Sequence, residues 1–224
     1  MTISSVFKEI DDETARSYLE HYFGLGAWAG EEYTGAYFDT FGTNAPDAIT
    51  ADDLIAVACL SKHVPARAAL GILREYSDDI GTLLGKIPPG LSITDIPFEE
   101  HDQYFGEGTA PLDLWRLLRR DKNTRWGIGP TTASKLMARK RPELFPIYDS
   151  VVGRVTGFSS SDGTWNAWHQ AFATDGGLVE RLESLRLAVG LHDISLLRIL
   201  DVVLWMHGSQ GTEGPESVDQ TDES

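Results

Sequence analysis

Apolar residues recur at helical spacing along most of this chain, and sustained two-residue alternation is missing. The stretch DDETARSYLEHYF puts Ala15, Tyr18, Leu19 and Tyr22 on one stripe with acids in its first turn, which predicts an amphipathic helix. Thr50 with Asp53 three residues on is a capping-box start for ITADDLIAVACL, with Leu54, Ile55, Val57 and Ala58 as the buried side. Pro65 opens a helix that turns Ala69, Leu70 and Leu73 inward. Pro111 opens another, PLDLWRLLRR, with Leu112, Trp115 and Leu118 in line. Asp193 reads as the N-cap of ISLLRILDVVLWM, the most apolar helix. The Pro- and Gly-rich stretch 86–109 reads as a long surface loop.

Between PLDLWRLLRR and the helix that begins at Pro130 stands Gly127-Ile128-Gly129. Two glycines around one apolar residue permit a tight helix-to-helix turn, because glycine tolerates positive φ. Ala133, Leu136 and Met137 then form the buried face of the second helix. The expectation is an all-α bundle over 1–208, in one body or two lobes, with a hairpin near residues 112–140. The stretch 209–224 has five acids, no bases and few apolar residues, which predicts a disordered acidic tail.

Hydrophobic residues make up 42% of the 224, enough for a core. No run of eighteen apolar residues and no secretory leader is present, so the expectation is a soluble, cytoplasmic protein without a membrane partner. The lone Cys59 excludes an internal disulfide framework and a four-cysteine iron–sulfur cluster. The six histidines are scattered with no i,i+4 pair, so no metal site is expected. A formal charge of −15 argues against nucleic acid as a partner, yet residues 113–154 hold ten basic residues and only four acids. That island predicts either a face for an anionic ligand or a set of ordinary solvated helix faces.

At the hairpin, the backbone N–H groups from Gly129 onward, with the helix N-terminus, suit one phosphate. Lys135, Arg139, Lys140 and Arg141 lie close by in sequence. Further on, Asp149 in ELFPIYDSVVGRV is either the N-cap of the helix that follows or a catalytic carboxylate.

The stretch RWGIGPTTASKLMARKRPELFPIYDSVVGRV resembles the helix-hairpin-helix superfamily of base-excision DNA glycosylases. That family's hairpin reads G-[IV]-G-x-x-[TV]-A, and an Asp opens a later helix as D-x-x-[VI]-x-R-V. Here stand Gly127 to Ala133, then Asp149, Val152, Arg154 and Val155, at the family's spacing. The likeness covers roughly residues 112–156, with a fainter echo in DLIAVACLSKHVPARAA. The linker FPIYD looks most like that of the adenine-mismatch branch. The chain is also similar to an uncharacterised actinobacterial family of unknown function.

The resemblance implies an all-α fold of the glycosylase type and hydrolysis of the N-glycosidic bond of a modified or mispaired base in DNA. It implies Asp149 as the catalytic group. It implies DNA contacts from Gly127, Gly129, Thr131, Lys135, Arg139, Lys140 and Arg154, and a base pocket near Trp126, Tyr148, Lys62 and His63. It also implies no iron–sulfur cluster and allows a monovalent cation at the hairpin. Relatives that cut the backbone carry a Schiff-base lysine where this chain has Thr131. The expected chemistry is therefore excision without strand cleavage. The glutamate of the adenine-specific branch falls at Ala56, so adenine specificity is not implied. The alternative is a non-catalytic module on the same fold that binds DNA or a protein.

Overall fold

The computed structural model describes residues 2–120 and 126–210. Among the described residues there are twelve α-helices and no strand. In chain order they are α1 (Ile3–Glu9), α2 (Asp12–Tyr22), α3 (Ala51–Cys59), α4 (Ala66–Leu70), α5 (Ser77–Leu84) and α6 (His101–Phe105), followed by α7 (Ala110–Arg119), α8 (Pro130–Lys140), α9 (Ser150–Thr156), α10 (Thr164–Thr174), α11 (Gly176–Ala188) and α12 (Leu196–Ser209). The expected all-α class is what is seen.

The most apolar stretch becomes the central helix. Ile199, Leu200, Val202, Val203 and Leu204 of α12 are fully buried, and α1, α2, α9 and α11 pack around it. Burying each such side chain contributes about 1.5–3 kcal/mol. Its N-cap is Ser195, whose hydroxyl accepts from the Arg198 N–H; the expected Asp193 lies two residues outside. Helix α2 buries Ala15, Tyr18, Leu19 and Tyr22 as expected, with Asp11 as cap.

The capping box of α3 forms as the sequence indicates, with the Thr50 N–H donating to Asp53 Oδ2 at 2.8 Å. Its buried face is different: Asp53, Ala56 and Val57 point inward while Ile55 is exposed. The inward turn of a carboxylate is what displaces the apolar stripe. In α4, Pro65 is the N-cap rather than the first helical residue. A π-turn over Gly71–Glu75 extends this helix. Ala68 and Ile72, four residues apart, form the buried face, and Leu70 is exposed. Within 86–109, two 3-10 turns and α6 replace the expected loop.

The α7–α8 pair is the predicted hairpin, and α8 lies against α3 as well as α7. Helix α7 ends at Arg120 in the left-handed region, φ 51°. The acidic tail expected over 209–224 falls almost wholly outside the described residues; Ser209 still belongs to α12. No described helix is long and apolar enough to cross a membrane.

Candidate functional site

At the hairpin, Gly127 has φ +85°, a value that favours glycine, and its Cα faces Pro65. Gly129 behaves differently. It is the N-cap of α8 with φ −86° and ψ −179°, which any residue adopts, and the space beside it is open. Thr131 follows, half-buried, and its carbonyl accepts from Ser134 Oγ at 2.9 Å.

Helix α8 is buried nearly all round, packed against α3 and α7 and covered at its C-terminal end by groups from residues 38–47 and 84–87. This overturns the expected DNA-facing role of Arg139 and Lys140. Arg139 is 2% exposed and Lys140 is 3% exposed. Arg139 donates to Asp53 Oδ1 at 3.2 Å and to the carbonyls of Phe38, Asp39 and Phe41. Lys140 donates to Asp53 Oδ2 at 2.9 Å and to Asn44 Oδ1 at 2.6 Å. Arg141 is likewise interior, donating to the carbonyls of Ile87, Pro46 and Leu84 and to Asp47. These cations are consumed by the fold, and none can reach a phosphate.

Trp126 is also internal. It is 6% exposed, its Nε1 donates to Leu118 O at 2.6 Å, and its ring fills the space beside Gly71. It therefore wedges the hairpin rather than lining a base pocket. Two members of the basic island, Lys122 and Arg125, lie outside the described residues.

Asp149 is the N-cap of α9, with Oδ1 accepting from the Val151 N–H at 2.8 Å. It also has a partner beyond its own backbone. Oδ2 lies 3.6 Å from Lys135 Nζ. The Asp149 side chain keeps 18% of its exposure and that of Lys135 only 3%. Lys135 thus fails as a surface phosphate contact, but it reaches from α8 to the carboxylate. Its ammonium also donates to Leu60 O at 2.9 Å, at the C-terminal end of α3. Burial pushes Lys135 down to about 8, against the opposing pull of Asp149 and Asp201.

The loop after α3 places Lys62 within electrostatic range of Lys135. Lys62 is half-buried and His63 exposed. Arg154, on α9, is exposed. The structure therefore gathers Asp149, Lys135 and the 60–63 turn, while Tyr148 departs. Residue 149 is extended, φ −130° and ψ 144°. Successive side chains in extended backbone point to opposite sides, and Tyr148 lines a separate chamber.

Sequence reasoning missed the floor of this site. Arg198 and Asp201 of α12 pair at 2.6 Å in the interior. Arg198 also donates to Tyr22 Oη, Gly35 O and Asp39. Burial raises the Asp201 carboxyl to about 6, with Arg198 pulling the other way, and Asp201 Oδ1 has no hydrogen-bond partner. The available signal was two opposite charges three residues apart in an otherwise apolar helix, which must pair if buried.

A family model described as a family of unknown function (DUF6308) matches residues 15–208, and the chain belongs to that family. No curated protein and no solved structure matches the chain.

Proposed function

We propose that this protein is a monofunctional DNA glycosylase-like hydrolase that cleaves the N-glycosidic bond of a modified or mispaired base, with Asp149 as its catalytic carboxylate. The observation that carries the reading is the state of Asp149. One oxygen holds the start of α9, the other faces a buried lysine, and the group stays open to solvent. A carboxylate held in this way suits a reaction in which positive charge grows on the sugar as the bond to the base lengthens. Asp149 would stabilise that charge and orient the water that adds to the anomeric carbon, while the base departs with a proton. Lys135 acts on the carboxylate rather than on the sugar. Its Nζ is bound to Leu60 O and shut away from solvent, so an imine with the opened sugar is not part of the reading. Thr131 stands where the strand-cutting relatives carry their lysine.

The test is a panel of duplexes with damaged or mispaired bases, scored for abasic sites by alkaline cleavage. Wild type should act on at least one duplex, with no strand break before alkali. Asp149→Asn should abolish that activity. Equal activity in the two proteins would remove Asp149 from its role.

One observation favours a second reading, a non-catalytic helix-hairpin-helix module. The cations nearest the hairpin in sequence are spent inside the fold, leaving Arg154, Lys62 and His63 for any anionic partner at this face. A protein that binds duplex DNA equally well with and without Asp149, and excises nothing, would be that module.

A further inference from the structure

Beside the linker lies a chamber of about 230 Å³ that Asp149 does not line, bounded by α6, α7, Ser134 of α8, the start of α10, Pro146 and Tyr148. This exceeds the ~150 Å³ of an apolar cavity that holds one benzene ring. Its walls are aromatic. Trp115 and Trp165 meet edge to face with centroids 5.5 Å apart, Phe105 lies 5.6 Å from Trp165, and Tyr148 closes the linker side.

The polar groups of the chamber are the neutral side chains of Ser134, Ser161, Thr164 and Asn166, with His101 and Asp162. Asp162 is the single formally charged side chain in the lining, which contains no lysine or arginine. His101 also lines the chamber, and its ring is tied to His169. Ile96 O can only accept, so His169 Nε2, 2.7 Å away, carries a proton. His169 Nδ1 and His101 Nδ1 form a hydrogen-bonded pair at 2.9 Å. His101 Nε2 has no hydrogen bond among the described residues. Burial, and then the neighbouring His169, hold the His101 pKa below its ordinary value. A second observation points to a missing ligand: Thr164 is 4% exposed, lines the chamber, and its Oγ1 has no hydrogen-bond partner.

We propose that this chamber is a binding site for a small organic cation of the alkylammonium type, held by the Trp115–Trp165 aromatic walls and the Asp162 carboxylate. Ring faces carry negative electrostatic potential and attract ammonium groups, quaternary ones included. The carboxylate at the mouth supplies the counter-charge. Thr164 Oγ1 and His101 Nε2 are the polar atoms left for a hydroxyl or N–H that the cation carries. The −15 formal charge of the chain concentrates cations near its surface. The Arg119 guanidinium, 5.2 Å from the Trp115 ring centroid, already takes one face of that ring, so Asp162 must outweigh its repulsion of a bound cation. The site is independent of the glycosylase reading, since Asp149 does not line it.

The probe pair is choline and its neutral isostere 3,3-dimethylbutan-1-ol, which have nearly the same shape and differ in charge. Binding to the full chain is followed by tryptophan fluorescence and by calorimetry. Choline should bind saturably with one site per chain, and the neutral alcohol about tenfold more weakly or not at all. Asp162→Asn, an exposed substitution, should weaken choline about fivefold or more while leaving the melting temperature unchanged. Leu112→Trp, which fills the chamber from α7, should abolish binding in a protein whose helical circular dichroism is intact. Asp149→Asn should bind choline as wild type does. No saturable choline binding at millimolar concentration overturns the proposal. So does equal affinity for the two probes, or binding that survives both Asp162→Asn and Leu112→Trp.

Discussion

Lys135 shows how one side chain can be forced to serve the interior although it sits in a basic run. Its side chain is 3% exposed, and its ammonium faces Asp149 and donates to a single carbonyl. Partners this few do not replace the water it has lost, which is why burial dominates and its pKa falls to about 8. The sign of the stability consequence follows. The unfolded chain holds this proton up to the ordinary lysine value of 10.5, the folded protein only to about 8. Between those values the unfolded state binds more protons, so the Lys135 contribution to stability grows as pH rises through that window. It is fully present above 10.5 and lost as pH falls through 8. The size is on the order of 3 kcal/mol. Urea unfolding at several pH values between 7 and 11 checks this against Lys135→Met, which removes the titration. The expected result is a stability difference between the two proteins that changes by about 2–4 kcal/mol across the window. A difference that stays flat would mean that the ammonium is solvated.

Helices α3 and α8 are joined by charge as much as by apolar contact. Asp53 is fully buried and accepts from Arg139, from Lys140 and from the Thr50 N–H that begins its own helix. Removing one partner of a buried ion pair strands the other, at a cost of about 3–5 kcal/mol. Asp53→Ala strands two cations, so its loss should reach at least that range in urea unfolding. A loss below about 1 kcal/mol would show that water reaches the network. The same helices explain what was legible beforehand. The Gly127 turn, the α7–α8 hairpin and the Asp149 cap depend on short-range chemistry, and the sequence announces each within a few residues. The partner of Asp53 lies 86 residues away at Arg139. Nothing local distinguishes a lysine or arginine that meets solvent from one that meets a distant carboxylate. For the same reason Leu112 and Trp115 looked like core in α7, yet they stop halfway and face the chamber behind the linker. The histidines were read as scattered because His101 and His169 are 68 positions apart, although their rings are hydrogen-bonded.

Under the proposed function, charge taken over the entire protein would limit how DNA could be held. The island between residues 113 and 154 reads either as a face for an anionic ligand or as ordinary solvated helix faces. Lys135, Arg139, Lys140 and Arg141 are withdrawn from it into the interior. Arg116 is paired with Glu107, and Arg120 is bound to Tyr76 Oη at 2.9 Å. Around Asp149 the cations that reach the surface are Arg154 and, in part, Lys62. Each phosphate neutralised on B-DNA releases counterions and adds about −0.9 to the slope of log affinity against log salt. A protein with a broad basic face making six to ten contacts has a slope steeper than about −5. With so few surface cations set against a formal charge of −15, the slope here should lie between about −1 and −4. Fluorescence anisotropy with a labelled duplex from about 50 to 200 mM salt measures it. Arg154→Glu should weaken binding and flatten the slope by about one unit without changing the fold, because its side chain is exposed. Arg139→Glu should instead lower the melting temperature at every salt concentration, since it sets two carboxylates against each other beside Asp53. If Arg139→Glu left the fold intact and lowered DNA affinity as Arg154→Glu does, the interior placement of the island would be wrong, and the basic face would have to be restored to the surface.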